Sequence, residues 1–318
     1  MLFPKSWDQV LNMRPLPRRG RLAVVALCIA GVEISLPAGG WAGSARDYLN
    51  APVDSWLAIY NAGYASSVTP EDGTDVSARV RTNVASQSVV LTRTMDYWGR
   101  TGGVSIVLPY LFVESTVGSG GTTVHGVSDI GFLWQMNIFG GPALSREAFV
   151  SFVPQTFASF HLYVGTPLGE YEPSRALNPS ANRWTIRPTV NFSYTPDRGW
   201  TWLETYVTAA AFTPNNTFQA GDASRLTQRT LFIVEGHASR NIAPRIWLSA
   251  DAYYNIGGET NIGGVSQGNA ADTLRLGIGM GAQLWQGGDL VLNAESVVAK
   301  PAREPDAWGI RLTLRHFW

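Results

Sequence analysis

The chain has 318 residues, and its 24 Lys and Arg balance 24 Asp and Glu to a formal net charge of zero. That balance removes the electrostatic case for nucleic acid or any other strongly charged polymer as a partner. The single cysteine, Cys28, excludes an internal disulfide framework and a cysteine-built metal site, and the 15% of charged residues is low against the ~25% of ordinary soluble domains.

The amino terminus reads as an export signal. Arg14, Arg18, Arg19 and Arg21 form a basic region ahead of the apolar run Leu22 to Val32, which Glu33 ends. The run is too short to cross a membrane as a helix, which takes ~20 residues, and it has the length of a signal core. Small residues then place cleavage after Ala42, with Gly40 at −3, or after Ala45, with Gly43 at −3. Residues 1–45 are the expected signal peptide. The polar, proline-containing stretch 46–55 that follows is a loose periplasmic lead or a plug. No later stretch approaches eighteen uninterrupted apolar residues, so spanning helices are excluded.

From residue 56 to 318 one unit repeats, a strand-like segment followed by a turn-rich break. Twelve segments are expected, at 56–67, 84–97, 101–114, 126–139, 146–165, 183–194, 200–212, 227–240, 245–256, 273–286, 290–300 and 306–318. Several alternate with the period of two that marks a strand with different surroundings on its two faces. In 273–286, Leu274, Leu276, Ile278, Met280, Ala282 and Leu284 oppose Arg275, Gly277, Gly279, Gly281 and Gln283. In 183–194, Ile186, Val190 and Phe192 oppose Arg187, Thr189, Asn191 and Ser193. Segments 84–97 and 101–114 alternate poorly. The last segment sets Trp308, Ile310, Leu312, Leu314 and His316 against Gly309, Arg311, Thr313 and Arg315, and it stops on Phe317-Trp318.

Break length follows parity. From an even segment to the next odd one the breaks are short, as at Trp98-Gly99-Arg100, Gly140 to Ser145 and Gly287-Gly288-Asp289. From odd to even they are mostly long, at 68–83, 115–125, 166–182, 213–226 and 257–272. Short turns on one side and long loops on the other, with an even strand count, are the habit of outer-membrane barrels. A barrel also satisfies every backbone group in hydrocarbon and leaves an apolar outer face needing no second layer. A soluble sandwich would need that face packed on another sheet. The expected fold is all-β, a single antiparallel transmembrane β-barrel of about twelve strands after an N-terminal signal peptide. Trp98, Trp184, Tyr194, Trp200, Trp308 and Trp318 near segment ends suit interfacial girdles.

On the polar face, Arg187, Arg229, Glu235, His237, Asp251, Arg275, Glu295, Arg311 and Arg315 are the candidate pore lining, interleaved with Trp202, Tyr206, Trp247 and Tyr253. Mixed charge with aromatics suits amphipathic solutes. The competing reading is a closed interior whose charges satisfy one another across strands. The loop acids Glu71, Asp72, Asp75, Glu170, Glu172 and Asp222 show no ordered cation-ligand spacing, and no metal or cofactor is expected. A lipase-like barrel needs an oriented serine and base. Ser239 lies two residues from His237, but no Gly-x-Ser-x-Gly elbow occurs, so an enzyme is not expected.

Three stretches carry a family resemblance: Ala45 to Pro52; Gly99-Arg100-Thr101-Gly102-Gly103 leading to Leu108-Pro109-Tyr110; and Gly169-Glu170-Tyr171-Glu172-Pro173 followed by Asn178 to Trp184. The chain resembles, over nearly its whole mature length, the family called "putative MetA-pathway of phenol degradation" proteins, outer-membrane barrels usually labelled transporters. Where that family often has Asp, Glu172 stands here. The resemblance implies a bacterial outer-membrane channel or transporter passing small organic, including aromatic, compounds by diffusion, and it transfers no assigned site residue. The expected partners are outer-membrane lipid and lipopolysaccharide, small organic solutes, and the barrel-assembly machinery, for which Phe317-Trp318 is the candidate signal. The alternatives are a structural or adhesive barrel with a closed lumen and, behind it, the lipase-like enzyme.

Overall fold

The computed structural model describes residues 43–70, 79–175, 177–218 and 225–318. The expected leader up to residue 42, with Cys28, and the loop acids Glu71, Asp72, Asp75 and Asp222 lie outside them. The elements in chain order are β1 (Trp56–Pro70), β2 (Arg79–Tyr97), β3 (Arg100–Val117), β4 (Gly120–Val127), β5 (Gly131–Phe139), α1 (Arg146–Phe149), β6 (Phe157–Gly165), β7 (Thr185–Tyr194), β8 (Thr201–Phe212), β9 (Leu226–Gln228), β10 (Leu231–Ala243), β11 (Ile246–Gly257), β12 (Thr260–Ile262), β13 (Val265–Ser266), β14 (Ala271–Trp285), β15 (Gly288–Ala299) and β16 (Asp306–Phe317).

Thirteen of the strands form one sheet in which every neighbour is antiparallel, and β4 and β5 both pair with β3 as two halves of one stave interrupted at 128–130. The sheet therefore has twelve staves. It closes because β16 pairs with β1 from Leu57↔Phe317 to Val68↔Asp306. At the seam Trp56 and Trp318 exchange backbone bonds of 3.0 and 3.1 Å, so the last residue is sewn to the first strand. Closure leaves no unpaired edge, the condition for a sheet immersed in hydrocarbon.

Alternation along each stave sorts the two faces. On β7 the residues Thr185, Arg187, Thr189, Asn191 and Ser193 are buried inside, while Ile186, Val190, Phe192 and Tyr194 are exposed outside. The same holds on β14, where Arg275 is 6% and Ile278 is 68% exposed. Water cannot favour so continuous an exposed apolar surface; lipid does. Trp98, Tyr194, Trp200 and Trp318 stand exposed at the short-turn end and Trp184 and Trp308 at the other, where amphipathic rings meet headgroups. With its closed ring and its outward-facing apolar side chains, the chain is a transmembrane β-barrel.

The turn chemistry is local. Trp98 (φ 53°) and Gly99 (φ 80°) form the two-residue turn between β2 and β3, and left-handed backbone at both central positions matches the twist of a hairpin. In the 195–200 turn the Thr201 N–H donates to Asp197 at 2.6 Å and holds its carboxyl below the usual range.

The structure departs from the expected segments in several places, the first being the expected break 68–83, into which β1 and β2 extend and pair from Val68↔Arg81 to Pro70↔Arg79. The expected strand 146–165 begins only at Phe157; α1 and an irregular run precede it, because Ser145 caps the helix by accepting from the Ala148 N–H and Pro154 breaks any ladder. The break after β5 is therefore long, an exception to the short-turn rule. The expected loop 115–125 is instead strand on both sides of Gly118-Ser119, a hairpin of Thr and Val extending β3 and β4. The segment expected from 227 splits: Leu226–Gln228 joins a separate three-stranded sheet with β12 and β13, and the barrel stave begins at Leu231. Finally, β15 begins at Gly288 and brings Asp289 into the barrel.

Candidate functional site

The interior has two unlike walls. Staves β7, β8, β10, β11, β14, β15 and β16 carry the charge, whereas β1, β2, β3 and β5 carry Ser, Thr, Asn, Gln and aliphatic side chains and β6 adds Ser159, His161 and Tyr163. Period-two alternation aims these residues inward from each stave, and the register of the ladder sets who meets whom.

On the charged wall neighbours alternate in sign. Arg275 on β14 donates to Glu295 on β15 at 2.7 Å, with both side chains under a tenth exposed. Arg315 on β16 donates from Nε and Nη2 to the two oxygens of Asp289, at 2.7 and 2.9 Å. His237 on β10 meets Asp251 on β11 through Nδ1 at 2.7 Å, and its Nε2 lies 3.5 Å from Glu235. The guanidinium of Arg187 lies over the Tyr163 ring at 4.2 Å and that of Arg275 over Tyr253 at 5.2 Å. Trp202, Tyr206, Trp247 and Tyr253 are buried on the same wall. Gly281 makes room for Trp247, whose ring a Cβ at that position would approach to 2.1 Å, and Gly279 makes room for Ser249 and Asn293. Gly281→Val is therefore expected to lower the urea midpoint of the folded barrel by an amount equivalent to about 1–3 kcal/mol, the usual cost of overpacking.

Of the residues expected along the pore, Arg187, Glu235, His237, Asp251, Arg275, Glu295, Arg311, Arg315, Trp202, Tyr206 and Tyr253 project from barrel staves into this interior. Arg229 does not join them. It lies between β9 and β10, 82% exposed, and pairs with Glu259 at 3.3 Å. Glu204, Asp289 and His161 also stand there without having been singled out from sequence. Glu170 and Glu172 are held by their own loops, Glu170 accepting from Val127 N–H and Glu172 from Ser174. Ser239 Oγ accepts from Arg46 Nε at 2.8 Å.

Residues 43–54 run across this interior before β1 begins. The Arg46 N–H donates to Glu204 at 2.7 Å, and its side chain reaches Ser239, Asn241 at 2.6 Å and the Trp200 carbonyl at 3.2 Å while lying 5.1 Å over Trp247. Arg315 donates to the Arg46 carbonyl at 3.3 Å and pairs with Asp47 at 3.5 Å. Tyr48 packs on His161 at 3.9 Å and on Tyr206 at 4.8 Å between ring centres. Asn50 is tied to Pro142 and Asn137 at 3.1 and 2.9 Å, and the Val53 N–H to the Leu144 carbonyl at 2.9 Å. The segment is thus fastened chiefly to the charged wall and to the long break after β5.

Beside it a cavity of about 590 Å³ remains, lined by the neutral wall and also by Arg187, Glu235, Trp247, Asp289, Arg311 and Arg315 of the charged one. Leu57, Ile59, Val90, Val107 and Leu133 give it apolar surface, and Ser88, Thr92, Ser105 and Gln135 stand among them. Thr92 and Ser105 share a bond of 2.8 Å and need no solute. Buried His161 bonds Ser159 at 2.7 Å through Nε2, while its Nδ1 has no partner among the described residues. Toward the long loops the interior narrows to aliphatic packing of Ala65, Val84, Val113 and Val124 around Leu177, which the 166–184 loop brings in. Asp129 anchors that loop by accepting from Ser180 Oγ at 2.5 Å and Ala181 N–H at 3.0 Å.

The fold is shared with solved barrels of low identity. An outer membrane channel from Pseudomonas putida F1 superposes with a TM-score of 0.68 at 17% identity, covering 87% of this chain and 100% of that one. The transport unit of the autotransporter AIDA-I from Escherichia coli gives 0.53 at 11%, covering 95% and 99%. The β-domain of the Bordetella autotransporter BrkA gives 0.51 at 14%, covering 83% and 98%. No curated protein matches the sequence. The family model described as "Putative MetA-pathway of phenol degradation" matches residues 65–303, and the chain, whose resemblance first rested on three short motifs, belongs to that family.

Proposed function

We propose that this barrel is a passive route through the outer membrane for small, weakly polar organic molecules, and that residues 43–54 form its constriction. The observation that carries the reading is the cavity left beside that segment, with the neutral wall along one side of it. The aliphatic and hydroxyl part of its lining suits a molecule with an apolar body and one or two polar groups, while Arg315 and Asp289, in the charged part, hold each other and Arg46 is held by Glu204, Ser239 and Asn241. The family description adds phenol-like compounds as the first solutes to try, and the similar Pseudomonas putida protein is an outer membrane channel. Lipid contacts the exposed band, and Phe317-Trp318 serve as the assembly signal. A hydrolytic role is disfavoured because the Ser239 hydroxyl accepts from Arg46 rather than facing a base.

The test is conductance in planar bilayers together with phenol entry into proteoliposomes, for the mature protein and for a variant lacking residues 43–51. Phenol should enter through both, faster through the shortened protein, whose conductance should also rise severalfold. Absence of conductance and of entry in both would leave the closed structural barrel as the better reading.

A further inference from the structure

Sequence allows cleavage of the leader after Ala42 or after Ala45, and the three residues between these sites distinguish them. Gly43 to Ala45 are built into the charged wall. The Gly43 N donates to Glu235 Oε2 at 2.7 Å, and its carbonyl accepts from Arg311 at 3.2 Å and from the Tyr253 hydroxyl at 3.3 Å. Ser44 Oγ donates to Asn293 at 2.9 Å and accepts from Arg311, and the Ser44 carbonyl accepts from the Tyr206 hydroxyl at 3.2 Å. Ala45 is fully buried against Trp247 and Val291. Cleavage after Ala45 would remove every one of these contacts. The seat is also shaped for glycine, since a Cβ at residue 43 would lie 2.7 Å from the Tyr206 ring and 3.2 Å from Glu235 itself.

We infer that the leader is cut between Ala42 and Gly43, and that the α-ammonium so created is a structural charge of the lumen, paired with the carboxylate of Glu235. The step is hydrolysis by a signal peptidase. Water adds across the Ala42–Gly43 peptide bond, its oxygen stays on the Ala42 carboxylate, and the nitrogen leaves as the protonated amine of Gly43. The charge matters because Glu235 is buried at 3% exposure and crowded by acid. The imidazole beside it, His237 at 3.5 Å, is shared with Asp251 at 2.7 Å, and Arg187 acts on it through its charge while stacking over Tyr163. An uncharged amide N–H would give Glu235 a hydrogen bond but no counter-charge, and a buried carboxylate needs both. Processing therefore completes the constriction as well as removing the leader.

The first test is intact mass and N-terminal sequencing of protein extracted from outer membranes. Gly43 as first residue is expected; Arg46, or a retained leader, overturns the assignment. The second compares barrels refolded from chains that begin at Gly43 with the amine free or acetylated. Acetylation keeps an N–H and removes the charge. Trypsin should cut after Arg46 about tenfold faster in the acetylated barrel, the factor expected when one charge-assisted bond is lost. Glu235→Gln with a free amine should behave like the acetylated wild type. Equal protection of free and acetylated barrels, with heat-modifiable gel mobility showing both closed, overturns the ion pair. The inference deepens the constriction reading but fails separately from it, because the N-terminal mass does not depend on whether the barrel conducts.

Discussion

Arg275→Met is expected to destabilise the barrel by about 3–5 kcal/mol, because it strands the Glu295 carboxylate in a place that water barely reaches. The two side chains are 7% and 8% exposed and meet at 2.7 Å. Around Glu295 the neighbouring inward positions of β14 are Gly277 and Gly279, which offer no replacement donor. The double variant Arg275→Met/Glu295→Leu should recover most of the loss, since it removes the unpaired charge together with its partner. Urea titration in lipid vesicles, followed by gel mobility with and without heating, measures both. A single variant as stable as the parent would mean that water fills this side of the lumen and screens the acid.

Ile278→Arg places the same guanidinium three residues along the stave and on the opposite face. It is expected to cost about 2–4 kcal/mol, the penalty for a cation on the lipid side near the bilayer midplane. Ile278 is 68% exposed, sits at the middle of β14, and lies between Ala250 and Ala294 of the adjacent staves, so no carboxylate is in register to receive it. Ile278→Leu should be neutral. If the arginine variant unfolds at the same urea concentration as the parent, the outer face is not in hydrocarbon.

These two variants mark what was legible in the chain. In 273–286 the residues alternate between oil and arginine, so face and register could be read directly, and the same pattern gave twelve staves and the closing aromatic pair. Staves β2 and β3 alternated poorly for a physical reason. Their inward residues are Val, Ser and Thr, hardly more polar than the residues facing lipid. The blurred stretch of sequence is the neutral wall of the cavity itself. Glu204 was legible in principle, because it shares parity with Trp202 and Tyr206 on β8. Asp289 falls just outside the expected segment 290–300 because β15 starts at Gly288, and His161 is hidden in the expected segment 146–165, whose strand starts only at Phe157. That Leu177 would seat among Val84, Val113 and Val124 could not be read, since loop packing depends on which staves end up adjacent.

The sign alternation along one side of the lumen has a last consequence. Followed around the ring from β16 to β7, cation and anion take turns: Arg311 and Arg315, then Asp289 and Glu295, Arg275, Asp251, His237 beside Glu235, Glu204 and Arg187. Plus and minus sit shoulder to shoulder instead of confronting each other across the gap, so their potentials cancel within a few ångströms of the surface. Water in the cavity is then expected to feel no strong crosswise pull and to be easy to displace. Along the proposed route, a molecule with little dipole of its own would then pass without first breaking an aligned column of solvent.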